Sequence, residues 1–240
     1  MDKKLGIIVG VILVAFAGLV GISFMQSQSA KIDYDKYDID ALIEPDEANG
    51  NIGDLVTGDR NAPVILFEYG DYQCDACAPM NPYVNQLVEE YDGQLAVVFR
   101  TDIMDYHQNG TAAASAANAA ALQGYWKEYK DKLFNDLDDW FYSSADKRQD
   151  QFEEFFLNVS NGQGDLNKFR QDMRSKDVSQ KIKFDNGLSE RRGIEFTPTF
   201  YLNGEHMDQR NKSTPEFLEE LRTKIDAILK EKGIEVKKKS

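Results

Sequence analysis

The residues of this chain best equipped for chemistry are Cys74 and Cys77, its only two cysteines, set in Phe-Glu-Tyr-Gly-Asp-Tyr-Gln-Cys-Asp-Ala-Cys at 67–77. They follow a short apolar run and precede a segment with helical spacing, and a Cys-x-x-Cys pair at a strand-to-helix junction suits redox exchange. The start of a helix directs unsatisfied N–H groups and partial positive charge at the first sulfur. That favours its thiolate, the attacking species in disulfide exchange. Half of a zinc site would need two more ligands, and His107 and His206 lack the close pairing of zinc fingers. A purely structural disulfide across so short a ring constrains little of the unfolded chain and fits ordinary bridge geometry poorly. No metal and no cofactor is expected.

The pair needs a strand before it and a helix after it. Val64 to Tyr69 is an apolar, β-branched and aromatic run of strand type, and Met80, Tyr83, Val84, Leu87, Val88 and Tyr91 recur with helical spacing. Pro79 suits a first turn, whereas Pro82 falls inside the expected helix over 77–91 and predicts a bend there. Asp92-Gly93 ends that helix, and Leu95 to Arg100 reads as a second strand, parallel to the first because a helix joins them. From about 105 to 192 the pattern turns helical, with an alanine-rich helix over 111–133 and three more near 146–158, 165–176 and 178–192. Gly193 stops the last of these. Ile194 to Gly204 then reads as a strand entering an Asn-Gly hairpin turn, with a return strand at 205–209. Ser213 or Thr214 caps a final helix whose apolar face includes Phe217, Leu221, Ile225 and Leu229.

That order of elements, with Glu68 to Cys77 in the first half and Phe196-Thr197-Pro198-Thr199 in the second, resembles the DsbA-like thiol-disulfide oxidoreductases. These have an α/β thioredoxin-like fold (βαβ…ββα) interrupted by an all-helical insertion, and the resemblance covers roughly residues 51–233. It implies that the Thr197–Pro198 bond is cis and that its loop lies against the cysteines, with Thr197 backbone groups holding an extended substrate. It also implies that Glu68 is a buried acid beneath the site, with a raised pKa, able to exchange a proton with Cys77. Between the cysteines the strongest oxidant of the family has Pro-His, and this chain has Asp75-Ala76. An aspartate beside Cys74 and the loss of the histidine predict a milder oxidant.

The remaining chain sets the expected surroundings. Residues 5–25 carry no charge and are long enough to cross a bilayer, and Lys3 and Lys4 before them predict a cytoplasmic N-terminus. An uncleaved single-pass anchor is expected in preference to a signal peptide cut near Ser27–Ala30, because the apolar stretch exceeds a usual signal core. The domain plan is an anchor over 1–25, a spacer over 26–50, the first half of the fold over 51–104, the helical insertion over 105–192 and the second half over 193–240. The net charge of −13 argues against nucleic acid as a partner, and the cluster of Asp136, Asp138 and Asp139 lacks EF-hand spacing. An oxidising compartment outside the cell suits a chain with one cysteine pair and no spare thiol. The expected reaction is disulfide donation from Cys74–Cys77 to exported proteins with cysteine pairs. Reoxidation by a quinone-linked integral membrane oxidase is implied by the resemblance, and the chain is expected to act as a monomer. A reductase or isomerase of the same fold and a non-catalytic peptide-binding or chaperone module are the alternatives.

Overall fold

The structure, a computed structural model, describes residues 32–239. The expected anchor and its cleavage site lie outside the described residues. Among the described residues no helix is long and apolar enough to cross a membrane.

Five strands form one sheet in the order β1-β3-β2-β4-β5. They are β1 (Leu55–Gly58), β2 (Val64–Gly70), β3 (Leu95–Thr101), β4 (Thr199–Leu202) and β5 (Glu205–Met207). The central pair β2–β3 is parallel, as a helical crossover requires, and every other pairing is antiparallel. The helices are α1 (Asn81–Glu90), α2 (Gly110–Ala121), α3 (Trp126–Asn135), α4 (Leu137–Trp140), α5 (Ala145–Val159), α6 (Leu166–Asp172), α7 (Lys176–Arg192) and α8 (Thr214–Glu231). This is the thioredoxin-like α/β arrangement with α2 to α7 inserted between its halves.

Alternation along β2 and β3 decides what each face of the sheet meets. Val64, Leu66 and Val97 join α1 and α8 in one core with Val84, Leu87, Leu221 and Ile225. Phe67, Tyr69 and Val98 occupy the opposite face, against Leu42 and Ile194. A third cluster, built on Phe99, Tyr72, the alanines of α2 and the aromatic side of α3 and α5, runs up to Cys74 and Cys77.

Several elements differ from the sequence expectations for identifiable reasons. The helix after the cysteines opens with a 3-10 turn at Ala78–Met80, and the α-helical ladder starts only at Asn81. Pro82 therefore falls in the first turn of α1, where no intrahelical donor is needed, and not in a helix interior that it would bend. The single helix expected over 111–133 is two helices, because Gly124 adopts a left-handed backbone (φ 83) that interrupts the ladder. Strand β1 was not foreseen. Residues 34–50, read from sequence as spacer, pack on α7. Tyr37 meets Phe184 edge-on at 4.8 Å, and a Cβ at Gly187 would lie 1.9 Å from the Tyr34 hydroxyl. Strand β4 is shorter than expected and begins after Pro198. The Asn203-Gly204 turn takes positive φ at both residues, and the Ser213–Glu216 capping box starts α8, both as read from sequence.

Candidate functional site

The loop from Gly70 to Cys77 leaves the carboxyl end of β2 and is wound by its own backbone. The N–H of Cys74 donates to Asp71 O at 3.0 Å, and the N–H groups of Cys77 and Ala78 donate to Cys74 O at 3.1 and 3.2 Å. Both sulfurs are free thiols, with Cys74 5% exposed and Cys77 fully enclosed. The pair is asymmetric: Cys74 alone can be reached.

The Thr197–Pro198 peptide is cis, and its loop faces the pair, with the Cys74 thiol donating to Thr197 O at 3.5 Å. Gln209 Nε2 donates to Pro198 O from the far side of the loop. The Cys74 thiol is lowered to about 6. A hydrogen bond from Cys77 does most of this against the cost of burial, helped by Thr197 and by the N–H groups of Cys77 and Ala76. Donors inside the loop thus replace the helix terminus expected from sequence. Burial, and then the hydrogen bond to Cys74, push the Cys77 thiol far up. A stable thiolate at Cys74 beside a proton held by Cys77 suits a pair in which Cys74 takes the exchange and Cys77 is the sulfur that leaves it and is protonated.

Glu68 lies beneath the pair on β2, level with Phe99 on β3 and Phe200 on β4. It is 1% exposed, and its Oε1 has no hydrogen-bond partner. Burial raises its carboxyl to about 7, Lys130 opposes the rise, and Cys74 adds to it. Lys130, from α3, is also fully buried, with its Nζ unpartnered and 5.2 Å from the Trp126 ring. Burial lowers its ammonium, while Glu68 holds it up. The site therefore sits over an acid–base pair, one member from the sheet and one from the helical insertion. Asp75 and Ala76, between the cysteines, are exposed.

Sequence reading missed Lys130 and the polar frame around the loop. Lys130 carried a signal, since it falls four residues after Trp126 and three before Leu133, within the apolar stripe of its helix. The frame carried none. The Asp71 carboxylate accepts the Gln73 N–H at 2.9 Å, the Met104 N–H at 3.0 Å and His107 Nδ1 at 2.7 Å. Gln73 donates from Nε2 to Phe141 O at 2.7 Å and accepts the Asn109 N–H at 2.6 Å. Asn109 Nδ2 reaches the carbonyls of Trp140, Phe141 and Ser143 at 3.1 to 3.2 Å.

The site thus combines an activated Cys-x-x-Cys pair with a cis-proline loop at the end of a thioredoxin-like sheet. Residues 50–227 match the Thioredoxin family, and the chain belongs to it. It is 28% identical over 167 residues to the Na(+)/H(+) antiporter NhaA 3 of Salinispora tropica, covering 70% of this chain and 23% of that protein. It is likewise 28% identical over 181 residues to Probable disulfide bond formation protein D of Bacillus anthracis, covering 72% of this chain and 77% of that one. Among solved structures, oxidised BdbD from Bacillus subtilis shares the fold at 19% identity and a TM-score of 0.58, covering 79% of this chain and 98% of that chain. The chain spans 23% to 24% of the length of the antiporters it matches.

Proposed function

We propose that the chain is a DsbA-like oxidoreductase, anchored by residues 5–25, that donates the Cys74–Cys77 disulfide to cysteine pairs of exported proteins outside the cytoplasm. The observation that carries this reading is the split between the two thiols. Cys74 is lowered to about 6 and keeps a small exposed edge, while Cys77 is fully enclosed and raised. A substrate thiolate attacks Cys74, and the mixed disulfide is then broken by the substrate's second thiolate. The product leaves oxidised and both protein sulfurs end reduced. Thr197 and Pro198 hold the substrate segment beside Cys74, and Glu68 exchanges the proton of Cys77. Reoxidation falls to a quinone-linked membrane oxidase, and the chain acts as a monomer. The uncharged run at 5–25 behind Lys3 and Lys4, and the name of the Bacillus anthracis relative, support the location and the direction.

The first thiol of Cys-x-x-Cys proteins ranges from about 3.5 in the strongest oxidant to about 7 in thioredoxin. A value of about 6 supports a mild oxidant, in keeping with Asp75-Ala76. Equilibration with glutathione should give a potential between roughly −270 and −120 mV. A potential at or below the lower bound would reverse the direction to reductase. In cells, a Cys77→Ala variant should accumulate mixed disulfides on Cys74 with exported proteins and with the reoxidising partner. Full activity of the chain without either cysteine would leave only a peptide-binding module.

A further inference from the structure

Four rings run in a row near Cys74, the two middle ones, His107 and Phe141, half-buried and the two ends, Tyr106 and Tyr142, on the surface. Tyr106 meets His107 edge-on at 4.5 Å, His107 meets Phe141 at 6.3 Å, and Phe141 meets Tyr142 at 4.6 Å. The two ends are the most exposed large hydrophobic side chains among the described residues, Tyr106 at 75% and Tyr142 at 92%. Rings so open contribute little to the core. The backbone beneath them is nonetheless fixed by Gln73, Asp71 and Asn109, which tie both ring-bearing loops to the residues just before Cys74. A rigid backing under exposed tyrosines lowers the ordering cost of a contact, which is the economy of a recognition surface.

The charge around the row selects the occupant. Asp105, Asp138 and Asp139 are exposed next to it in the chain, and exposed Asp75 adds its charge at Tyr106. Burial of its inner edge, and then the negative charge of Cys74, Asp71, Asp75 and Cys77, raise the Tyr106 phenol, which puts the end of the row within electrostatic reach of the reacting sulfur. The neighbouring cation Arg148 is engaged with Asn109 Oδ1. Aromatic faces attract cations, and the protein itself uses the contact elsewhere, with Arg192 4.0 Å from the Tyr201 ring centre. We propose that the Tyr106–Tyr142 row docks extended substrate segments that carry lysine or arginine within a few residues of the reacting cysteine. This rests on the exchange reaction proposed above and names the substrate class of that site.

The test uses dithiol peptides that reduce the Cys74–Cys77 disulfide while becoming disulfides themselves, with lysine, leucine or glutamate flanking the cysteines. Stopped-flow rates for the oxidised protein should rank lysine first, roughly tenfold above glutamate, since one cation–π contact and a favourable charge each give a few-fold gain. In the Tyr106→Ala, Tyr142→Ala double variant that advantage should fall below about threefold, while the Tyr106→Phe, Tyr142→Phe variant keeps it. The rate with dithiothreitol should be the same in all three proteins. Equal rates for the three peptides, a leucine peptide reacting fastest, or a lysine advantage untouched by the alanine variant would each overturn the docking site. Failure of dithiothreitol and every peptide to reduce the wild-type disulfide would instead overturn the exchange reading.

Discussion

Glu68 and Lys130 form one enclosed pair in which Lys130 sets Glu68 and the charge of Glu68 helps to raise the Cys77 thiol. Burial alone would keep Glu68 protonated, and Lys130 pulls it back to about 7, where it can both give and take a proton near neutrality. The sign of the stability effect follows. Between 4.5 and about 7 the folded protein holds a proton on Glu68 that the unfolded chain has lost, so stability falls as pH rises across that window. The Glu68→Gln variant should flatten this fall, on the order of 3 kcal/mol, in urea unfolding followed from pH 4.5 to 8. In Lys130→Met the opposing cation is gone. The Glu68 carboxyl should then titrate at least about one pH unit higher by carbon-13 NMR, with a changed rate of mixed-disulfide formation, the step in which Cys77 takes up its proton. An unmoved carboxyl would deny Lys130 any part in setting it.

At the scale of elements, local chemistry wrote the parts that local chemistry controls. The Asn203-Gly204 turn, the Ser213 cap, the helix stop at Gly193 and the strand before Cys74 are each specified within a few residues, and each is found where the sequence places it. Strand β1 could not be read that way, because Leu55–Gly58 is short and becomes a strand only by pairing with β3. The Gln73–Phe141 and Asp71–His107 bonds join residues far apart in the chain, and no pattern in either partner announces them. Both cysteines, Glu68 and the cis bond at Pro198 were legible because a known arrangement of residues carried them. Lys130 was legible in principle, as a cation in an apolar stripe. Gly124 separates α2 from α3 with nothing near its missing side chain, so Gly124→Ala isolates the backbone cost. It should destabilise the protein by about 1 kcal/mol in thermal unfolding, with the exchange rate unchanged. A much larger loss would mean that the turn between α2 and α3 is held by more than its backbone.

Over the whole molecule, one buried network fastens three regions that are distant in sequence. Arg100 on β3 donates to both carboxylate oxygens of Asp54 at 3.1 and 2.8 Å and to the carbonyls of Ile39 and Ala41 at 2.6 and 3.0 Å. Lys181 on α7 pairs with Asp185 at 2.7 Å and lies 3.9 Å from Asp54. Burial would raise Asp54, but Arg100 and then Lys181 hold it below its ordinary value. Arg100→Met strips the larger of these cations and should cost about 3 to 5 kcal/mol in denaturant unfolding. The loss should shrink in acid, where Asp54 gains a proton in any case. The frame at Gln73 has a consequence of another kind. Its side chain joins the residue before Cys74 to the carbonyl of Phe141, so the loop that carries the reacting sulfur and a loop of the helical insertion are held as one piece. A shift of either loop would therefore have to carry the other with it, which makes the approach to Cys74 a property of both.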